Sequence, residues 1–152
     1  MNDVVIRNIK PGEIENLIPL CSLHAAYEKA PFDAKGKAAK LRRYLFEENP
    51  ALHCLVALKD GKMIGYASFM KQFSTWDADF YMYMDCLYLL EEFRGFGIGR
   101  QLINRIEEES QRLGITQIQW QTPNFNTRAM KFYDRLGGVS KSKERYFLEC
   151  SY

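Results

Sequence analysis

Arg94-Gly95-Phe96-Gly97-Ile98-Gly99-Arg100 is the stretch on which the reading of this chain turns. Ahead of it, residues 80–90 are rich in aromatic and β-favouring side chains and predict a strand that stops at Glu91-Glu92. Behind it, Ile98, Leu102, Ile103 and Ile106 recur at helical spacing, and Gly114 supplies a left-handed residue to close that helix. The glycines therefore stand where a strand becomes a helix. The first amides of a helix lack carbonyl partners within it, and the helix dipole places partial positive charge there. Glycines let a ligand approach those amides, and Arg94 and Arg100 add full charge at either end of the loop. Such a combination suits phosphate or pyrophosphate.

Two commoner phosphate motifs do not fit. A dinucleotide fingerprint begun at Gly95 needs glycine where Arg100 stands, and no Gly-Lys-Ser/Thr follows for a triphosphate loop. On this stretch alone, a tight turn without a ligand remains open. What is present, R-x-x-G-x-G at Arg94, Gly97 and Gly99, resembles the acetyl-coenzyme A pyrophosphate loop of the GNAT-type N-acetyltransferases. Asn126, Ala129, Phe132, Tyr133 and Gly137 match the second signature of that superfamily, N-x-x-A-x-x-F-Y-x-x-x-G, in the right order. Asn49-Pro50, His53-Cys54-Leu55-Val56-Ala57, Gly65 and Trp76 extend the similarity to the diamine (spermidine/spermine and thialysine) acetyltransferase branch, from about Tyr27 onward.

Composition is that of one ordinary globular domain, residues 1–152, with 47% hydrophobic and 26% charged residues. A net charge of +2, from 21 basic and 19 acidic residues, gives no field that argues for nucleic acid or a membrane surface. Residues 1–7 lack the basic start and apolar run of a signal peptide, and no stretch is apolar enough to span a bilayer, so a cytoplasmic protein is expected. Cys21, Cys54, Cys86 and Cys150 lie in apolar patterns without C-x-x-C spacing and read as buried reduced thiols. With His24 and His53 the only histidines, no metal site is expected.

The remaining elements follow from periodicity. Residues 4–6 read as a first strand. A helix with Ile14, Leu17, Ile18 and Cys21 on one face follows, which Pro19 should kink or split. Tyr27-Glu28 falls at or after its end. A second helix over about 37–48 turns Leu41, Tyr44 and Leu45 inward. Residues 52–58 and 63–70 form a hairpin, 72–79 a polar connection carrying Trp76, and Ile115, Ile118 and Trp120 a further strand. Asn126-Thr127 opens a last helix that Gly137-Gly138 ends, and residues 145–152 read as a terminal strand with Tyr146, Leu148 and Cys150 in register. This order predicts an α/β (α+β) fold with a mixed, largely antiparallel sheet flanked by helices.

The chemistry expected of a lysine-type amine sets the site residues. Its reference pKa near 10.4 keeps it protonated at neutral pH, so a proton must leave before attack on a thioester. Asp85, on an otherwise apolar and aromatic strand, is the first candidate to hold and deprotonate the ammonium, and Glu28 the second. Cys86 has no His nearby in sequence and reads as a small strand residue. The resemblance implies the rest. Acetyl-coenzyme A would lie in a gap where a bulged central strand splays from the strand at 115–121. Leu87, Tyr88 and Leu89 would pair its pantetheine arm and supply an oxyanion amide. Arg94, Gly95, Phe96, Gly97, Ile98, Gly99 and Arg100 would hold its pyrophosphate, with Asn126 and Ala129 contributing from the last helix. Tyr133 would act as general acid, its alternative being a core aromatic beside Phe132.

For the acceptor the resemblance implies Tyr27, Glu28, Asp85 and Trp76. In that branch Leu-Glu-Asp-Phe stands where this chain has Met84-Asp85-Cys86-Leu87, so one carboxylate is kept and its neighbour is lost. The expected activity is direct transfer of acetyl from acetyl-coenzyme A to a primary amine of a small molecule such as a diamine, polyamine or amino acid. Alternatives are a protein or peptide N-acetyltransferase and a non-catalytic coenzyme A-binding sensor. A homodimer is implied by resemblance.

Overall fold

In the computed structural model, which describes residues 3–151, Asp60 and Gly61 both take positive φ, 50° and 77°. Those angles belong to the two-residue hairpin turn whose twist matches its strands. The turn joins β2 (His53–Lys59) to β3 (Lys62–Ser74), and β1 (Val4–Asn8) pairs antiparallel with β2 on the outer side. β4 (Asp79–Leu89) returns antiparallel along β3, and β5 (Ile118–Gln119) lies parallel to β4. The sheet order is β1-β2-β3-β4-β5. The parallel step is made through α3 (Ile98–Arg112), the crossover that a parallel pair requires.

Four consecutive residues of β2 and seven of β3 are buried, so the middle of the sheet is covered on both faces. On one face, α1 (Ile14–Tyr27) and α2 (Lys37–Phe46) supply Ile14, Leu17, Leu20 and Leu45 to a cluster with Cys54, Val56, Tyr66 and Tyr88. The helix α3 packs against β1 to β4 and buries Ile98, Leu102, Ile103 and Ile106. Gly65 has no room for a side chain between β3 and β4: a Cβ there would stand 2.7 Å from the Tyr88 carbonyl oxygen and 2.5 Å from Leu89 Cδ2.

The residues up to Gln121 form one compact unit, and those from Thr122 a second. The second contains α4 (Thr127–Arg135), capped by the Asn126 side chain, which accepts a hydrogen bond from the Ala129 amide at 3.4 Å.

Several expectations need correction. Pro19 does not split α1, which runs unbroken from Ile14 to Tyr27; the lost backbone hydrogen bond is offset by burial of Ile14, Leu17 and Leu20 along that helix. Tyr44, expected inward, is exposed with the Arg43 guanidinium over its ring. Half of the connection expected over 72–79 is strand, because β3 extends to Ser74 and β4 begins at Asp79, and Phe73 meets Phe80 edge to face at 5.0 Å. The strand expected around 115–121 is paired only at Ile118–Gln119. No strand forms at 145–151, where Tyr146 and Leu148 are exposed, because alternation becomes a strand only when a ladder partner is present; residue 152 lies outside the described residues. Cys150 is likewise exposed rather than buried, whereas Cys54 is buried and Cys21 and Cys86 are half-buried. Among the described residues no helix is long and apolar enough to cross a membrane.

Candidate active site

The glycine loop folds as its sequence requires. After β4, a short 3-10 turn over Glu91–Phe93 hands the chain to Arg94, and Gly95 and Gly97 take φ of 87° and 82°. Residues with a Cβ rarely adopt that region, and a Cβ at either glycine would meet open space. Gly97 is the N-cap of α3, and the helical ladder begins with the Gln101 amide donating to the Gly97 carbonyl at 3.1 Å. The amides of Ile98, Gly99 and Arg100 lie ahead of that bond. An open backbone surface, unpaired amides and the exposed Arg100 fit a pyrophosphate. Phe96 is exposed at the loop's tip, and Ile98 is buried beneath it.

Arg94 does not stand open over this loop. Its Nε donates to the Leu89 carbonyl at 2.9 Å, and its guanidinium lies 4.6 Å from the Tyr27 ring centroid and 5.4 Å from that of Tyr88. The residue thus ties the loop to the end of α1 as a cation–π clamp.

The expected bulge is present, and it falls on Asp85. Ser68 pairs with Cys86 and the next β3 residue, Phe69, with Met84, so Asp85 is the extra residue of β4. Its side chain is exposed, and its Oδ2 accepts from the Cys86 thiol at 3.7 Å. The expected parting is present as well. β4 and β5 are in register only at Met82–Ile118 and Tyr83–Gln119, with the Met82 amide donating to the Gln117 carbonyl at 2.9 Å. From Met84 to Leu89, β4 keeps β3 as its ladder partner and has no partner strand on the other edge among the described residues. Leu87, Tyr88 and Leu89 line that edge, opposite Ala67, Tyr66 and Gly65.

A cluster that the sequence did not disclose lies against the same part of β4. His24, on the last turn of α1, has Nε2 2.7 Å from Glu28 Oε2 and Nδ1 2.8 Å from the Tyr66 hydroxyl. Its ring stacks on Tyr88 at 5.2 Å and meets Tyr66 edge to face at 5.9 Å. Burial works against a charge on His24, but hydrogen bonds with Cys86 and Glu28 and the Glu28 charge push its pKa up to about 9. As an imidazolium the ring donates from both nitrogens, to the Glu28 carboxylate and to the Tyr66 hydroxyl oxygen. Burial pushes the Tyr66 phenol and the Cys21 and Cys54 thiols up, so all three stay neutral. Glu28, expected as a second proton acceptor, is therefore held in an ion pair. A His and a Glu four residues apart at a helix end were the available signal; the Tyr66–Tyr88 register was not.

The structure brings Tyr27, Glu28, Asp85, Leu87, Tyr88, Leu89 and Arg94 to one end of the β3–β4 pair. Trp76 stands apart from them. It is 97% exposed in the turn between Ser74 and Asp79, and the six residue steps from Asp79 to Asp85 span about 20 Å of strand. In the second unit, Asn126, Ala129 and Tyr133 share α4, and Tyr133 packs beside Phe132 with ring centroids 5.5 Å apart.

Residues 18–138 match the acetyltransferase (GNAT) family. The chain is 32% identical over 145 residues to a thialysine N-epsilon-acetyltransferase of Sus scrofa, covering 90% of this chain and 85% of that protein. It is 33% identical over 142 residues to the protein of that name from Bos taurus, covering 88% and 83%. Among solved structures, the aminoglycoside N-acetyltransferase AAC(6')-Iy in complex with CoA superposes with a TM-score of 0.80 at 19% identity, covering 96% of this chain and 94% of that one; this is a likeness of fold. The glycine loop, the bulged strand and these matches lead to one assignment: the chain belongs to the GNAT family and is an acetyl-CoA-dependent N-acetyltransferase.

Proposed function

We propose that this enzyme acetylates the primary amine of a small molecule, a diamine, amino acid or similar, by direct transfer. The observation that carries the reading is the bulge: Asp85 is the one β4 residue with no opposite number on β3, and it projects an exposed carboxylate beside the unpaired edge of that strand. The named relatives act on thialysine, which supports an amino acid or amine of similar size.

Bound acetyl-CoA supplies an activated acetyl thioester. In this reading the amides of Ile98, Gly99 and Arg100, with Gly95, Phe96, Gly97 and the Arg100 charge, hold its pyrophosphate. The edge of β4 at Leu87 to Leu89 pairs the pantetheine arm and offers an amide to the thioester oxygen. Arg94 braces the loop from behind. Asn126 and Ala129 contribute from α4, whose cap they form. Asp85 holds the incoming ammonium and accepts its proton directly or through water; an exposed carboxylate exchanges that proton with solvent readily. Tyr133 gives a proton to the departing thiol. Tyr27, with the Arg94 guanidinium 4.6 Å from its ring centroid, lies on the acceptor side. Trp76 would belong to the acceptor side only with a long acceptor, given its place in the distant turn.

A thiol-release assay with acetyl-CoA against lysine analogues, diamines, polyamines, aminoglycosides and peptides tests the reading. Turnover restricted to peptides would replace it with protein acetylation. Tight coenzyme binding without turnover on any amine would replace it with a sensor role. With the best acceptor in hand, Tyr133→Phe is expected to lower turnover by about 10²–10⁴-fold with coenzyme affinity retained. Unchanged turnover removes Tyr133 from the acid role.

A further inference from the structure

The Glu28–His24 pair has a consequence for which amines the enzyme takes. The site as read offers two carboxylates to a cationic acceptor, Asp85 at the bulge and Glu28 at the end of α1. They differ in what compensates them. Glu28 is paired at 2.7 Å with a ring that is itself fixed by Tyr66 at 2.8 Å and by stacking on Tyr88. Asp85 has no cation within ion-pair distance among the described residues and takes only the Cys86 thiol.

We propose that His24 is a specificity-determining residue: by neutralising Glu28 it leaves Asp85 as the single uncompensated carboxylate, so the enzyme favours acceptors with no second fixed positive charge near the reacting amine. The inference rests on the reading of Tyr27 and Glu28 as the acceptor side. The groups that face His24 are Glu28 of α1, Tyr66 of β3, and Cys86 and Tyr88 of β4; beyond them Tyr27 and Arg94 lie against the Tyr88 ring, and Cys21 bonds Tyr66 and feels the Lys37 and Asp85 charges. Of these, Glu28 is the carboxylate in direct contact, and Cys86 also hydrogen-bonds the ring. Loss of the His24 proton would leave the Glu28 charge bare.

The test compares two acceptors, a primary alkylamine ending in trimethylammonium and its isostere ending in tert-butyl. The fixed charge does not titrate but lowers the pKa of the reacting amine, so each kcat/KM is referred to the concentration of free amine, and the ratio of the corrected values reads the charge of the site. A bare carboxylate several ångströms from that charge is expected to raise the ratio about three- to tenfold. His24→Gln, which keeps a hydrogen-bonding side chain without the charge, should show this rise at pH 7.5. The wild-type enzyme should show it between pH 7.5 and 10, while His24→Gln stays flat over that range. A merely structural role for His24 would lower both values together and leave the ratio unmoved. A pH-independent wild-type ratio overturns the proposal, as does an equal rise in the variant; should the variant not fold, the wild-type series alone decides. Failure of the underlying reading looks different: neither amine would release coenzyme A at any pH.

Discussion

Removing the charge of His24 should make stability depend on pH in a direction fixed by the geometry. In the unfolded chain a histidine titrates near 6.5; in the folded protein His24 is raised to about 9 by its hydrogen bonds with Cys86 and Glu28, against the pull of burial. A folded pKa above the unfolded one means that the native state binds the proton more tightly. The stabilisation is therefore complete below pH 6.5, falls as the pH rises from there, and is gone once the pH passes 9. Holding a proton tenfold more tightly is worth about 1.4 kcal/mol, so the gap between about 6.5 and 9 gives on the order of 3 kcal/mol as an upper figure. The Glu28 side chain is 33% exposed, and solvent screening brings the expectation to roughly 1–3 kcal/mol. Urea unfolding at pH 6 and pH 10 measures it, with His24→Gln in parallel so that other titrating groups cancel. The stability difference between wild type and variant should shrink by that amount from pH 6 to pH 10. Parallel curves would refute the argument, and a difference that grows with pH would reverse its sign.

Two substitutions probe the backbone around the coenzyme loop. Gly97→Ala meets no steric obstacle, since a Cβ there faces open space, and its cost is the left-handed φ of 82°; roughly 1–2 kcal/mol of strain at the N-cap of α3 should appear as a several-fold weaker affinity for coenzyme A in calorimetry. Unaltered affinity would mean that the loop does not need this conformation. Gly65→Ala drives a methyl toward the Tyr88 carbonyl oxygen, 2.7 Å away; a backbone atom yields less easily than a side-chain tip, so a loss of roughly 1–3 kcal/mol in denaturant unfolding is expected. A loss below a few tenths would show that β4 moves freely past β3.

What the sequence disclosed was local, and what it hid depended on register. The Arg94–Arg100 loop was legible because positive φ leaves glycine as its trace and the strand and helix beside it have strong periodicity. Asn126 was legible as a cap because its side chain is of the type that accepts from a helix's first amides. The far half of β3 was hidden, because past Met70 the alternation of half-buried and exposed residues places Lys71 and Phe73 outward, and polar residues there read as a loop. The terminal segment shows the opposite failure: Tyr146 and Leu148 alternate as strand residues do, yet no ladder partner meets them. His24 was passed over as one of two scattered histidines. Its partners Tyr66 and Tyr88 lie 42 and 64 residues further along the chain, and only strand pairing sets them side by side.

One inserted residue accounts for both halves of the site. Read straight along β4, Met82, Met84, Cys86 and Tyr88 alternate with the residues between them, and a regular strand would turn all four to one face. The extra residue at Asp85 breaks that sequence. Met84 stands across from Phe69 and Cys86 across from Ser68, neighbours on β3 that point to opposite faces. A slip of one residue exchanges the faces of everything beyond it. Cys86 and Tyr88 thereby join Tyr66 and the buried cluster under α1, where Tyr88 receives the His24 ring, while Met82 and Met84 are buried outside that cluster. Leu87 and Leu89 take the other face, opposite Ala67 and Gly65, which leaves room for the close approach at Gly65. The same insertion that frees a carboxylate at Asp85 also delivers Tyr88 to His24 and Arg94. A chain with Asp85 deleted would keep the loop motif and every residue of the His24 cluster, yet it would point Tyr88 away from His24.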